Sequence, residues 1–599
     1  MTSERSVGPS LSLDCQSAAL ATALVALIVG AAAVARGAPV HLVEEKPQQI
    51  TAVAPNVYLV DFGRVAFGNL ELLPTANSTG IVTVHFGEAF ADGRIDRKPP
   101  GSVRYASAEV ALDGNNPKIA APAADERNTK QPQAVLTPPN WGVVLPFRWA
   151  EIEGWPGELT PEQVRRRAAF AIAWKDEAAA FRSSDEMLNR IWDLCHYSIK
   201  ATTFAGVFVD GDRERISYEA DAYLNQLSYY ACNPDPQMAR DTFDRLMRFP
   251  TWPSEWAPHM VFIAHADWMQ TGDGAWLAAR YEGLKSKMLL ERAGPDGLLV
   301  STEHQFKHDD IVDWPALERD GFVFGPVNTV VNAFHLRALA LMANLARALG
   351  RDEDALEFES RERTTRAAFQ QRLFDPARGL YRDGSGTDHA SLHANLFPLA
   401  FGLAPKANRQ TICRWLGTRG MVCSVYAAQY LLEGLFENND AETALALMTA
   451  PGDRSWRHMI DCGATITWEA WDQSYKPNQD WNHAWGAAPA NLLPRFVLGV
   501  QPTAPGWSRV EIRPNCGRLT SCEGRVPTPR GTISARWERN EHFKLTLDLP
   551  ATIAACVTLP TTGSSTLVFV DGHPVRANRE GNGWHLENDL TGHASVELR

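Results

Sequence analysis

The sequence predicts a multidomain α and β protein, a central (α/α)6 toroid flanked by an N-terminal β-sandwich and a C-terminal β-sandwich. Three observations predict it. Strand-like alternation fills residues 45–178, helical periodicity dominates 179–500, and strand-like alternation returns over 501–599. At 599 residues the chain is too long for a single hydrophobic core. The count of helices, about a dozen, suggests pairs closed in a ring. Periodicity by itself supports a large all-α domain, and ring closure is added to it.

The elements follow in chain order. Residues 16–35 read QSAALATALVALIVGAAAVA, an uncharged apolar run ending in the small-residue pattern Ala33-Val34-Ala35. A signal peptide over 1–35 is expected, which implies a secreted or periplasmic protein; an uncleaved anchor is the alternative. No other stretch is expected to span a bilayer. VYLVDF (57–62), GIVTVHFGEAF (80–90), VRYASAEVAL (103–112) and VVLPFRWAEIEGW (143–155) carry β-branched and aromatic residues between Gly, Pro and Asn, with a long loop at 113–135. Together they form the first sandwich, 45–178.

Ser183-Ser184-Asp185-Glu186 has capping-box spacing and opens the helical region. Further helices are expected at 219–231, 236–248, 256–270, 274–291, 326–349, 353–373, 389–403, 407–417, 424–437, 441–449 and 483–498. Trp507 and the Pro-containing segment 502–505 mark the exit. RVEIRPN, GTISARWER, HFKLTLDLP, AACVTLP, TLVFVDG and HASVELR then supply the second sandwich.

Composition narrows the function. With 45% hydrophobic and 21% charged residues the chain is an ordinary globular protein, and its net charge of −12 argues against a nucleic-acid partner. Nineteen tryptophans lean weakly toward sugar stacking, since part of that number is plain core. The cysteines lack CxxC pairs and any zinc spacing. Only Cys516 and Cys522 are close enough in sequence to suggest a disulfide.

The densest chemistry lies at Asp210-Gly211-Asp212-Arg213-Glu214-Arg215-Ile216-Ser217-Tyr218-Glu219-Ala220-Asp221. If the run after Asp210 is helical, Asp210, Glu214, Tyr218 and Asp221 share one stripe, which faces either bulk water or a polar cavity. Crowded carboxylates raise one another's pKa and arginines lower it, so one carboxyl can stay protonated as an acid while others accept hydrogen bonds. Arg213 and Arg215 either attract an acidic ligand or hold these carboxylates in place.

Three more clusters belong to the helical region. Asp313-Trp314 precedes Pro315, which pushes it onto a loop, where it is either a sugar-binding pair or a capped helix start with a core tryptophan. Glu469 stands between Trp468 and Trp471, and a carboxylate beside apolar rings must be paired, protonated or solvated. Asn482-His483 opens the last predicted helix, where a neutral histidine would bond a hydroxyl. Trp252 and Trp256 would add stacking walls or core packing. There is no G-x-S-x-G elbow, phosphate loop or dinucleotide fingerprint. His265-Ala266-Asp267 and His304 with His308 lack companion ligands, so no metal is expected.

These residues resemble the α-L-rhamnosidases of glycoside hydrolase family 78 over most of the chain. The family's acid motif, D-C-P-Q-R-D-E-R-x-G-W-x-G-D, is similar to VDGDRERISYEAD here from Glu214 onward. Tyr218 stands in place of Trp, Asp221 falls at the final Asp, and the chain is two residues shorter between Asp210 and Glu214. Thr467-Trp468-Glu469-Ala470-Trp471 resembles the base motif, Asn482-His483 the segment before the last helix, and Asp313-Trp314 the family's Asp-Trp loop. The resemblance implies inverting hydrolysis with Glu214 as general acid and Glu469 as general base. It also implies sugar contacts from Asp210, Tyr218, Asp221, Asp313, Trp314, Trp471 and His483, a rhamnose-containing glycoside or oligosaccharide as substrate, and no cofactor. Two rivals remain at this stage: another toroidal hydrolase or a polysaccharide lyase, and a non-catalytic carbohydrate-binding protein. The paired glutamates weigh against a lyase, which usually needs a Tyr or His base.

Overall fold

A computed structural model describes residues 38–561 and 565–599. The expected signal peptide at 1–35 lies outside the described residues. The N-terminal domain is one eight-stranded sheet built around the long strand Val57–Leu72. Register shifts between Asp61 and Ala66, so the strand bends, and Val60 and Phe62 from one half share a core with Leu70 and Leu72 from the other. Strands Val40–Glu45, Gln49–Ala54 and Val164–Ala171 also belong here. Sequence patterning missed them because they are short, edge-lying or charged on one face.

The central domain contains α1 (Glu186–Ala201), α2 (Glu219–Cys232), α3 (Gln237–Arg248), α4 (His259–Thr271) and α5 (Gly274–Lys285). It continues with α6 (Thr329–Ala348), α7 (Asp352–Leu373), α8 (Leu392–Ala400) and α9 (Arg409–Arg419). α10 (Val425–Glu437), α11 (Ala441–Met448), α12 (Trp456–Asp461) and α13 (Pro489–Leu492) complete it. Helices α2, α4, α6, α8, α10 and α13 touch in that order and α13 returns to α2, which closes an inner ring. Outer helices α3, α5, α7, α9, α11 and α1 pack behind them. Each outer helix carries the chain back, so the inner six run parallel and their N-termini gather at one end.

Burial separates the two layers. Inner α6 is buried nearly all round, whereas outer α7 buries only a narrow stripe. By length and hydropathy α6 could cross a membrane, contrary to the sequence expectation, but 83% of its apolar window is buried within the ring. The predicted helix 483–498 is broken. It consists of a 3-10 turn Ala484–Gly486, α13, and a π-helical stretch Leu493–Leu498, because Pro489 and Pro494 remove donors from the ladder.

The C-terminal domain pairs a seven-stranded and a five-stranded sheet. Strand Ala180–Ser183, which the sequence reading places with the ring, lies antiparallel to Ser521–Thr528 at the edge of the larger sheet. Cys516 and Cys522 are buried and free, so the suggested disulfide is not formed. One apolar core runs unbroken from the ring into this domain: Trp537 is fully buried there, and its indole N–H donates to Val497 O at 2.9 Å. The N-terminal domain keeps a separate core.

Candidate active site

The acidic run is a loop, not the helical stripe considered from spacing. Asp210 N–H donates to Ile216 O at 2.9 Å, and Ile216 N–H returns a bond to Asp210 Oδ1 at 3.0 Å, folding the segment on itself. Gly211 sits at φ +141°, and a Cβ there would lie 2.5 Å from Asp480 Oδ2, so only glycine fits. The helix begins afterwards, with Tyr218 as N-cap of α2. This loop stands at the N-terminal end of the inner ring.

A pocket of about 490 Å³, its open mouth included, lies there. It is lined by seven of the residues expected from sequence, Asp210, Glu214, Tyr218, Asp221, Trp314, Glu469 and His483. Trp252 and Trp256 also wall it, and Tyr218 meets both edge-on with ring centroids 6.2 and 5.6 Å away. Arg213, Ile311 and Trp485 complete the lining.

Two predicted contact residues fall elsewhere. Asp313 is fully buried; its carboxylate bonds His393 Nε2 at 2.6 Å, Ser424 N–H at 2.9 Å and the Ser424 hydroxyl, which anchors the Trp314 loop from behind. Trp471 is also fully buried, with its indole N–H on Cys423 O at 2.7 Å and its ring edge-on to Trp456. Both support the wall rather than form it, and sequence spacing has no means of telling a buttress from a lining residue.

The two glutamates share one guanidinium. Arg213 donates to Glu469 at 2.6 Å to Oε2 and 2.9 Å to Oε1, and its Nε lies 3.4 Å from Glu214 Oε1. Lys476 Nζ adds a second cation 3.3 Å from Glu469 Oε1. The Tyr218 hydroxyl donates to Glu214 Oε2 at 2.8 Å, and burial together with neighbouring Asp210 and Glu214 pushes the Tyr218 pKa far up, so the phenol keeps its proton. Glu469 is buried, whereas the Glu214 side chain is about a quarter exposed at the mouth.

Behind them lies a buried acidic layer. Burial raises the Asp210 pKa well above the carboxylate range, and its Oδ2 has no hydrogen-bond partner. His483 is not the neutral histidine expected. Burial opposes its charge, but the 2.7 Å bond to Asp221 and the Asp480 carboxylate 3.4 Å from Nδ1 hold its pKa at about 10. Glu469, Asp480 and His483 bring possible ligand atoms within 4.8 Å of one another. Arg213 and Lys476 already occupy that charge, and a protonated imidazole is no ligand.

The loop carrying Ile311 and Trp314 is held in an unusual backbone. Val312 adopts φ +63°, rare for a β-branched residue, and both Ile311 and Val312 donate N–H bonds to Glu255 at 3.1 and 2.9 Å. Glu255, which the sequence reading did not single out, lies in the TWPSEW segment between the two wall tryptophans. The N-terminal domain also reaches this site. Glu88 accepts from Asn482 at 3.0 Å, Asn482 accepts from the Asp212 backbone at 2.7 Å, Asn128 donates to Asp212 O at 2.6 Å, and Arg104 stands 3.3 Å from Asp212 Oδ2.

A ring of paired helices with an acid- and tryptophan-lined pocket at its open end is the architecture of a six-hairpin glycosidase. The family model for the bacterial alpha-L-rhamnosidase six-hairpin glycosidase domain matches residues 176–497, more than half of the sequence, and the chain belongs to that family. The models for its concanavalin-like and C-terminal domains match 51–170 and 499–573. An alpha-L-rhamnosidase from Alteromonas sp. (strain LOR) is 25% identical over 446 residues, 68% of this chain and 48% of that protein. Another from Formosa agariphila is 23% identical over 460 residues, 70% of this chain and 48% of that protein. The chain thus spans about half the length of the curated relatives it matches. Among solved structures, alpha-L-rhamnosidase from Dictyoglumus thermophilum superimposes with a TM-score of 0.77 at 17% identity, covering 94% of this chain and 64% of that one. The Streptomyces avermitilis alpha-L-rhamnosidase complexed with L-rhamnose gives 0.76 at 18% identity, covering 94% and 54%. At these identities the likeness establishes the fold.

Proposed function

We propose that this chain removes terminal α-L-rhamnose from glycosides or oligosaccharides by inverting hydrolysis. The observation that carries the reading is the joint grip of Arg213 on Glu214 and Glu469, two carboxylates brought from distant segments to one pocket. They meet different edges of the guanidinium and make no bond to each other. That arrangement suits the gap of roughly 6.5–9.5 Å that inverting enzymes keep for a water. Glu214, nearer solvent, gives its proton to the glycosidic oxygen as that bond breaks. Glu469 takes a proton from the water that attacks the anomeric carbon, and β-L-rhamnose leaves.

Asp210, Asp221 and His483 bond ring hydroxyls in this scheme, while Tyr218 and Trp314 receive the apolar face and methyl group of the deoxy sugar. Asp313 and Trp471 have no contact role in it. Carboxylates and water supply the chemistry. Export from the cytoplasm is part of the proposal, supported by the apolar run at 16–35.

The test is hydrolysis of an aryl α-L-rhamnoside by the wild type, Glu214→Gln and Glu469→Gln, with NMR of the first-formed anomer. Each substitution is expected to lower kcat by about 10²–10⁴-fold, with β-L-rhamnose appearing first in the wild type. Turnover that survives both substitutions sinks the assignment.

A further inference from the structure

The opposite end of the ring holds a second, larger cavity. It encloses about 1110 Å³, its open mouth included, between α2, α4, α6 and α10 and residues of the C-terminal domain. Tyr223, Phe262 and Trp507 give it aromatic walls. None of its lining residues lines the pocket that contains the two glutamates.

Its polar groups are unbalanced toward donors. Gln270 is 3% exposed, and its Oε1 accepts the Trp507 indole N–H at 2.8 Å. An indole nitrogen only donates, so this bond fixes which way the amide points. Gln270 Nε2 is left as a buried donor with no partner. A buried donor without a partner is costly, so the site is incomplete as it stands. Arg337 also lines the cavity and makes no ion pair or hydrogen bond among the described residues. The one carboxylate in the lining, Glu433, is held by Arg495 at 2.8 Å. Burial lowers the His265 pKa to about 4, so that imidazole is neutral and adds no competing charge.

We propose that this cavity is a second binding site, for a small aromatic carboxylate: the ring lies among Tyr223, Phe262 and Trp507, and the carboxylate meets Arg337 and the Gln270 amide. The walls supply a flat apolar slot, and the unpaired cation and donor supply the counterpart of an anion. Gln270 lies in the last turn of α4, where the backbone alone disfavours an anion, so Arg337 is what makes one acceptable.

Calorimetry of the full chain with 1-naphthoate and with neutral 1-naphthalenemethanol tests this. Naphthoate is expected to bind at least about tenfold more tightly than the alcohol, the scale of one charge-assisted hydrogen bond. Arg337→Gln should erase that preference. Gln270→Glu keeps the acceptor for Trp507 but puts a negative charge beside the ligand, and should weaken naphthoate alone. Saturating L-rhamnose should leave naphthoate binding unchanged, and both variants should hydrolyse or fail to hydrolyse aryl rhamnosides as the wild type does. Absence of binding, equal affinity for acid and alcohol, an undiminished preference in Arg337→Gln, or competition by rhamnose would each overturn the proposal.

Discussion

The C-terminal sandwich shares an unbroken apolar core with the ring, whereas the N-terminal domain keeps its main core to itself and meets the ring through small apolar patches, such as Phe67 stacked on Phe204, and through buried polar groups around the acidic loop. Apolar contact is strong but non-directional and tolerates small shifts. Hydrogen bonds specify direction and distance, and they fail when either changes. One β domain is therefore placed to stabilise the ring and the other to set the geometry of the site.

Substitutions on the two sides should separate these effects. Trp537→Ala removes a fully buried side chain from the shared core and is expected to cost about 3–5 kcal/mol of stability. Denaturant unfolding measures it, and turnover per folded molecule should hold; a matching loss of kcat would erase the distinction. Asn482→Ala cuts the link from Glu88 to the Asp212 backbone. It should lower kcat by about 10²-fold, the scale of a small displacement of a catalytic group, with a smaller loss of stability than Trp537→Ala, because it leaves the buried Asp212 N–H unmet.

Glu88 sharpens the comparison through pH. Burial raises its pKa from 4.5 to about 8. Between those values the folded chain holds a proton that the unfolded chain releases. Its contribution to stability is thus full below 4.5 and is lost as pH rises through 8. Glu88→Gln, uncharged throughout, should flatten the fall in melting temperature across that window; an unchanged slope would mean that other groups set it. At the small end, Arg509→Gln removes an exposed ion pair with Asp589 in the C-terminal domain and should leave the denaturant midpoint nearly unchanged.

Much of this architecture was legible in the sequence. The inner and outer helices announced themselves by periodicity, and motif spacing found seven of the residues around the first pocket. What stayed hidden has physical causes. Chain separation conceals that Ala180–Ser183 pairs with a strand beyond the ring. Asp313 and Trp471 carry the same local signature as lining residues, because a carboxylate beside an indole looks alike from either side of a wall. The charge on His483 depends on Asp221 and Asp480 converging in space, and the grip of Arg213 on Glu469 spans segments far apart in the chain. Glu255 offered one faint signal, an acid between two tryptophans in TWPSEW.

The pairing of Ala180–Ser183 with Ser521–Thr528 also bears on synthesis. The first of these strands leaves the ribosome before any helix of the ring, and its partner emerges only after the last one. Until then the nascent chain carries an unpaired strand edge, the kind of surface on which chains misassemble. Truncation before the C-terminal domain would make that temporary exposure permanent, so fragments ending near residue 500 should accumulate as aggregates rather than as isolated rings.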